Sequence, residues 1–511
     1  MIAASTMPLV EELVPAPDAI DCCERLAGLP YLIWLDSAAG GTPLGRYSFL
    51  MADPPAIVRS KGARLERVDL PSSAVHGLSG DGLNEIRALV APHASDAVAG
   101  LPPFQGGAAG YLSYDWGRVL ERRVPAPRHD DLALPDVVLG LYDWVVAWDH
   151  DQSRAWLIST GIPETSPVAR SKRAVERAAA VRDMVVVASG SSRTHVGSGF
   201  SRTNGGYGSG QTIGMSLPTR GGPAPSFPIE DPWWDPRLDL RASFTRHGYL
   251  EAVARVREYI LAGDIFQANL SQRFDAPLGE TPWQFYKRLR TRNAAPFAAY
   301  LDFPDGVVLS ASPERFLSVD VDGHVETRPI KGTRPRGVGP EHDAALAQAL
   351  TESAKDRAEN LMIVDLLRND LSRVCAPGSV RVRELFALEH FATVHHLVST
   401  VVGRLEPGTD ALDLVRAAFP GGSITGAPKV RAMEIIAELE PSERGVYCGA
   451  IGYFSVTGAL DSSIAIRTAV ARAGRVYFSA GGGVVADSDP GEEYRETLDK
   501  ARGLIDQLAP A

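Results

Sequence analysis

The sequence has 511 residues, 45% hydrophobic and 22% charged, with 52 basic against 62 acidic side chains and a net charge of −10. That length supports one large core or two to three ordinary ones, and the acidity argues against a nucleic-acid partner. No apolar run is long enough to span a bilayer, and the opening MIAASTMPLVEELVPAP has no basic n-region, so no membrane partner and a cytoplasmic location are expected.

Residues 1–187 read as a β-rich region. Short apolar runs such as YLIWLDSA from Tyr31, GRYSFLMADP from Gly45 and VVLGLYDWVVAWDHD from Val137 are separated by turn residues. Cys22 and Cys23 are adjacent, and Cys375 and Cys448 stand alone. None has the spacing of a zinc site or a redox pair, so reduced, partly buried thiols are expected. Residues 188–232 are rich in Gly, Ser, Thr and Pro. Such a segment cannot offset its ordering entropy by burial, and it reads as a flexible linker or insertion.

Residues 233–511 mix both element types. A helix fits Thr245 to Ala262, with Thr245 as cap and Tyr249, Val253, Val256 and Ile260 at helical spacing. GVVLSASPERFLSVDV from Gly306 alternates as strands do. A second helical stretch covers about Asp343 to Val374, with Leu361, Val364, Leu367 and Leu371 on one stripe. A third begins at Ala427 with Pro428 in its first turn. The last has Asp489 as N-cap, Pro490 at N1 and Glu492 at N3, with Leu498, Ala501, Ile505 and Leu508 on its apolar face. Strands and helices do not alternate strictly, which predicts an α+β class with antiparallel sheets rather than a doubly wound parallel one.

Several residues could carry chemistry. Glu493, Glu496 and Lys500 share one face of the last helix. Two carboxylates a turn apart suit a hard cation such as Mg²⁺, but equally a solvated face with a Glu–Lys pair. Glu359, in KDRAENLMIVDLLRND, is a third oxygen donor if its helix packs nearby. Lys331 lies in TRPIKGTRPRG among Arg328, Arg334 and Arg336. A lysine titrates near ~10.4 in water, so to act as a nucleophile it needs a dry pocket or neighbouring cations. FPGGSITGAPK from Phe419 and FSAGGGVVADSDPGEEY from Phe478 bring glycines to the start of helices, where backbone amides suit an anion. His395-His396 is a candidate for acid or base work.

In order along the chain, GDIFQANLSQRF, SPERFL, RPIKGTRPRG, DRAENLMIVDLLRNDL, VHHLVST, AFPGGSITGAPKVRAMEIIAELEP, CGAIGYFS, IAIRT, SAGGGVVADS and EEYRETLDKARGLI resemble the chorismate-binding enzyme family. Its members include anthranilate synthase component I, aminodeoxychorismate synthase component I, isochorismate synthase and salicylate synthase. GRYSFL and GGAAGYLSYDWGR extend a weaker match into the N-terminal region. The resemblance implies large antiparallel β-sheets packed as a sandwich with flanking helices. Lysine in PIKGT, here Lys331, is the mark of the family's aminodeoxychorismate synthases, where anthranilate synthases usually have alanine. Gln267 stands where isochorismate and salicylate synthases have a water-activating lysine. Tyr447, in contrast, resembles the anthranilate synthase residue.

The resemblance further implies Mg²⁺ held by Glu359 and Glu496 with Glu493 close by, and Lys500 supporting them. Arg467, Tyr447, Ser423 and the backbone of Gly481 and Gly483 would grip the substrate's other carboxylate. Lys331 would attack C2 of chorismate, Glu314 would protonate the departing 4-hydroxyl, and His396 would orient substrate or a proton. No cysteine sits in a GxCxG setting, so ammonia is expected from a separate glutaminase subunit. Two other readings stand beside this one: an anthranilate synthase component I, and a non-catalytic chorismate-binding subunit, which would lack some of these acids. LDSA from Leu35 partly resembles a tryptophan pocket of the former, whereas NAAPFAAYLDF departs from its usual NPSPYMYF.

Overall fold

The computed structural model describes residues 7–40, 42–70, 72–186, 217, 219–229, 236–391 and 394–508. Strands Val137–Tyr142 and Trp144–Asp149 are buried at every position. Continuous apolar runs of this kind belong to strands covered on both faces. The elements that position the functional site begin with β1 (Leu32–Asp36) and β2 (Gly107–Leu112). Helix α1 (Arg246–Leu261) leads into β3 (Gln267–Pro277), β4 (Phe297–Phe303), β5 (Gly306–Ser312), β6 (Arg315–Val319) and β7 (Ile330–Pro335). Then come α2 (Ala354–Ser372), β8 (Val394–Arg404), α3 (Lys429–Leu439), β9 (Ala450–Ser455), β10 (Leu460–Ile464), β11 (Thr468–Arg472), β12 (Arg475–Val484) and α4 (Pro490–Ile505).

Among the described residues these strands fall into two large sheets, of 13 and 12 strands. The first contains the run β1-β4-β5-β11-β12-β3, and the second contains β6-β10-β9-β2, with β8 and β7 at its end. The pairings between these strands are antiparallel. One core cluster joins the facing sides, with Ile33 and Leu301 from the first sheet meeting Tyr111 and Ile451 from the second. The outer face of the first sheet, with Trp34 and Leu270, packs on helices through Val253 and Leu498. The outer face of the second packs on helices through Val364 and Ile436. The fold is therefore an α+β sandwich of two antiparallel sheets with helices outside. β1 shows the alternation that builds it: Leu32 and Trp34 point to the helices and Ile33 to the partner sheet.

Most helices form where their caps and stripes predict. Thr245 accepts from the Gly248 amide at 3.0 Å, and Asp489 from the Glu492 amide at 2.9 Å. The stretch from Asp343 to Val374 is two helices, because Ser353 leaves the helical conformation and caps α2 through the Asp356 amide. The stripe of α2 is also rotated by one residue. Leu361 is 46% exposed and Asn360 takes the buried position above Val364, Leu367 and Leu371. Helix α3 begins at Lys429, two residues later than expected, with Pro428 as its N-cap. All four cysteines are free and buried. Much of the 188–232 segment lies outside the described residues, but Arg220 bridges to Asp130 and bonds Glu443, and Phe227–Pro228 pairs with Arg241–Ala242.

The two segments that leave one sheet for the other matter most. Residues 313 and 314 carry the chain from β5 in the first sheet to β6 in the second, and residues 465–467 carry it from β10 back to β11. The two passages are bonded to each other. The Ser312 hydroxyl donates to the Ile464 carbonyl at 2.6 Å, the Ile464 amide to the Glu314 carbonyl at 3.0 Å, and the Ala311 amide to the Arg467 carbonyl at 3.1 Å. Ser312 is fully buried. Replacing it by alanine removes one of the donors to the Ile464 carbonyl, which keeps the Ile466 amide, and takes the hydroxyl acceptor from the Glu314 amide, so Ser312→Ala is expected to lower the unfolding free energy by about 1–3 kcal/mol, measured by urea denaturation.

Candidate active site

The sandwich brings the sequence-predicted residues to one place. Lys331 sits on β7 where the pairing with β8 slips, between the pairs Ile330–Val398 and Thr333–His396. A bulge of this kind re-aims a side chain. The next residue, Gly332, has φ +92, and a Cβ there would press on Leu350 and on Asp356 of α2. Glu314 and Arg467 come from the two inter-sheet passages. Arg467 has φ +52, unusual for a residue with a Cβ, and its guanidinium donates to the Lys500 carbonyl on α4. Among the described residues its other nitrogens have no bonded partner.

Glu314 is deeply buried. Burial pushes its carboxyl up to about 7, although the Ser423 hydroxyl, Lys331, the Ile330 amide and Lys500 all pull the other way. Ser423 thus lies close beside Glu314. Lys331 keeps some accessible surface, yet the packing around it is close enough that desolvation lowers its pKa from the ordinary lysine value. Glu359 opposes that shift, Lys500 adds to it, and Glu314 and Glu496 oppose it less. His396 is buried, and its titration is pushed down to about 4 by burial, then by Arg467 and His395. It is a neutral imidazole at physiological pH, with Nδ1 and the Thr333 hydroxyl 2.9 Å apart. Tyr447 is also buried.

The acids gather on the other side. Lys500 Nζ lies 2.5 Å from Glu496 Oε1 and donates to the Gly481 carbonyl at 2.9 Å. Burial raises the titration of Glu496, but the Lys500 ammonium outweighs it and the net shift is downward. Glu359 and Glu493 are both shifted upward, first by burial. Glu493 Oε1 accepts from the Ser488 hydroxyl at 2.7 Å, while its Oε2 is buried with no protein partner. Of the three glycines of β12, Gly482 makes room for this cluster and its two neighbours make room for β3. A Cβ on Gly482 would lie 2.8 Å from Glu493 Oε2 and 3.1 Å from Glu496 Oε1. One on Gly483 would overlap the Gln267 amide and stand 3.6 Å from Glu359 Oε2, and one on Gly481 would strike Ser271. An oxygen-only donor set with an unpaired buried oxygen suits a hard cation. The three glutamates do not converge tightly: among the described residues only Asp320, Asp322 and His324 bring three donor atoms within 4.8 Å. That exposed trio is a turn, in which Asp320 accepts from the Asp322 and His324 amides.

The sequence matches the family model described as chorismate binding enzyme over residues 33–506. The chain belongs to the chorismate-binding enzyme family. It is 42% identical over 487 residues to aminodeoxychorismate synthase component 1 of Salmonella typhimurium, covering 94% of this chain and 93% of the relative. It is 40% identical to the protein of that name from Escherichia coli, with 95% and 94% covered. Anthranilate synthase component 1 of Pseudomonas aeruginosa is 37% identical, with 95% and 92% covered. Among solved structures, anthranilate synthase component I from Streptococcus pneumoniae superposes with a TM-score of 0.71 at 31% identity, over 90% of this chain and 92% of that one.

Some residues of this chorismate-binding enzyme site escape sequence reasoning. Asn360 fixes α2, and with it Glu359, to β8: its Oδ1 accepts from the Ser399 hydroxyl at 2.6 Å and its Nδ2 donates to the Leu397 carbonyl. The signal was an amide at the i, i+4, i+7 spacing of an apolar stripe. Lys429 offers no charge to the site, since its ammonium is bound by Asp370 and the Ala418 carbonyl. The LDSA segment lines a cavity of about 180 Å³ with Tyr47, Phe297 and Tyr453, and none of the sequence-predicted site residues faces it. The room left by Gly482 gives a direct test. Gly482→Ala displaces Glu493 and Glu496, and turnover of chorismate is expected to fall by about 10²-fold, the cost of misplacing a reacting assembly by roughly 1 Å, with an unchanged circular dichroism spectrum.

Proposed function

We propose that this enzyme aminates chorismate to 4-amino-4-deoxychorismate, using ammonia supplied by a separate glutamine amidotransferase subunit. The observation that carries the reading is the setting of Lys331: an amine desolvated on a bulge, facing a buried carboxyl and a cluster of glutamates. The similarity to proteins named aminodeoxychorismate synthase component 1 supports it.

Glu359 and Glu496, with Glu493 close by, would hold Mg²⁺, which needs only one or two protein carboxylates and takes its remaining oxygens from water and ligand. Bound there, the ion supplies positive charge at the ring carboxylate, favouring addition at C2. Lys500 neutralises part of the glutamate cluster. Arg467, with guanidinium nitrogens to spare, and Tyr447 bind the second carboxylate beside the backbone of Gly481 and Gly483. Ser423, beside Glu314, helps bind that carboxylate.

Lys331 attacks C2 as a neutral amine. The ring double bonds shift, the C4–O bond breaks, and Glu314 delivers its proton to the leaving hydroxyl. Ammonia then adds at C4, the double bonds return, the lysine leaves C2 as the neutral amine, and the C4 ammonium returns a proton to Glu314. His396, being neutral, orients the substrate by hydrogen bonding and does not serve as an acid. The pathway served is that of folate and para-aminobenzoate.

The decisive comparison is wild type beside Lys331→Ala, assayed with chorismate, Mg²⁺ and an ammonium salt in place of the partner subunit. Wild type is expected to form aminodeoxychorismate and no fluorescent anthranilate. The variant should lose about 10²-fold or more, roughly 2.7 kcal/mol of barrier; equal product from both would remove the covalent role. Anthranilate as the main wild-type product would instead favour the anthranilate synthase reading, to which Tyr447 belongs.

The pH dependence follows from Glu314. A general acid works while protonated, and burial raises this carboxyl to about 7. The kcat/KM should therefore fall on the alkaline side with a midpoint near 7, by about tenfold per pH unit beyond it. In Glu314→Gln the rate is low throughout and that limb is absent.

A further inference from the structure

Below the substrate cradle lies a buried ion pair that the reaction does not use. Glu440 and Arg444 are 5% and 7% exposed. Arg444 Nε donates to Glu440 Oε2 at 2.8 Å, and Nη2 to Oε1 at 2.7 Å. The remaining capacity of both groups goes outward. Arg444 Nη1 donates to the Ile424 carbonyl at 3.0 Å and Nη2 to the Asn269 carbonyl at 2.5 Å. Glu440 Oε1 accepts from the Ser271 amide and hydroxyl, each at 2.8 Å. The guanidinium also lies 4.4 Å from the ring centroid of Tyr114 and 5.9 Å from that of Tyr447.

The segments it grips all carry cradle groups. Asn269 pairs with Gly483 and Ser271 with Gly481, so the pair fixes β3 beneath the glycines of β12. Ile424 follows Ser423, which lies beside Glu314. Tyr447 comes three residues after Arg444 itself. A guanidinium presents its donors in a rigid fork, so one planar unit sets the spacing of β3, the Ser423 loop and Tyr447 together. A buried ion pair is a weak source of stability, since apolar side chains of similar volume replace such pairs without loss. Its presence here calls for another reason, and the bonds to two cradle segments, with the ring contact to Tyr447, supply one.

We infer that Glu440 and Arg444 are positioning residues that set the geometry of the chorismate-carboxylate cradle. The inference rests on the site assignment above, not on the product. Its readout is affinity for chorismate, so a chain that made anthranilate would still return the same result.

Breaking one partner of a buried pair destabilises the fold, so the test uses two gentler changes. Ser271→Ala removes one hydroxyl bond to Glu440. The double replacement Glu440→Leu with Arg444→Met fills the volume while releasing the Asn269 and Ile424 carbonyls. Chorismate binding in the presence of Mg²⁺ is measured by titration calorimetry, with KM and kcat from ammonium-dependent turnover and thermal unfolding alongside. Ser271→Ala is expected to remain folded, with a modestly lower unfolding temperature for the lost bond, and to bind chorismate about threefold more weakly. The folded double variant should bind at least about tenfold more weakly, with the loss in KM rather than kcat. Wild-type affinity in either variant overturns the inference; if the double variant does not fold, Ser271→Ala alone decides.

Discussion

The chemistry of this protein depends on where the backbone passes between two closely packed sheets. A carboxyl placed on such a passage has apolar layers on both sides and little water, and Glu314 sits on one of them. Removing water disfavours the charged form of any acid, and here that effect outweighs four favourable contacts. The bonds between the passages make the arrangement rigid, because the Ser312 hydroxyl holds the Ile464 carbonyl, the Glu314 carbonyl holds the Ile464 amide and the Arg467 carbonyl holds the Ala311 amide. The strained φ of Arg467 is held by the same bonds, as local strain requires.

The same dry environment acts with opposite consequence on the amine. Desolvation moves a carboxyl up and an ammonium down, so Glu314 and Lys331 approach each other in titration from opposite ends. One environment thereby holds a carboxyl nearer its protonated form and makes an ammonium easier to discharge, the kind of divergence that lets acid and nucleophile roles separate within one cavity. The glutamates on the far side experience a third balance. Lys500 pulls Glu496 down, while Glu359 and Glu493 are left raised and one oxygen of Glu493 is unpaired.

Local features were legible in the sequence to the extent that their physics is local. The caps at Thr245 and Asp489 act over three residues, and the ordered motifs pointed to the family and to most of the residues gathered in the site, though not to Asn360. What the sequence hides is geometry made by distant segments. GVVLSASPERFLSVDV reads as strand throughout, and nothing in its alternation says that its halves lie in different sheets. The slip that turns Lys331 inward depends on His396, 65 residues later. Asn360 displaced Leu361 from the core because its amide found partners on β8, a gain no periodicity count includes. The Glu440–Arg444 pair looks like an ordinary i, i+4 surface pair until three separate segments close over it.

The pairing of β1 with β4 and of β2 with β9 has a consequence for how the chain comes into being. Each sheet takes strands from both ends of the sequence: Ile33 pairs with Leu301, and Tyr111 with Ile451. During synthesis the early strands emerge long before their neighbours exist, with unpaired edges and uncovered apolar faces. Contacts of such wide separation close slowly, and exposed edges in that interval invite association with other chains. Neither sheet can therefore close around its early strands until their late partners have been made.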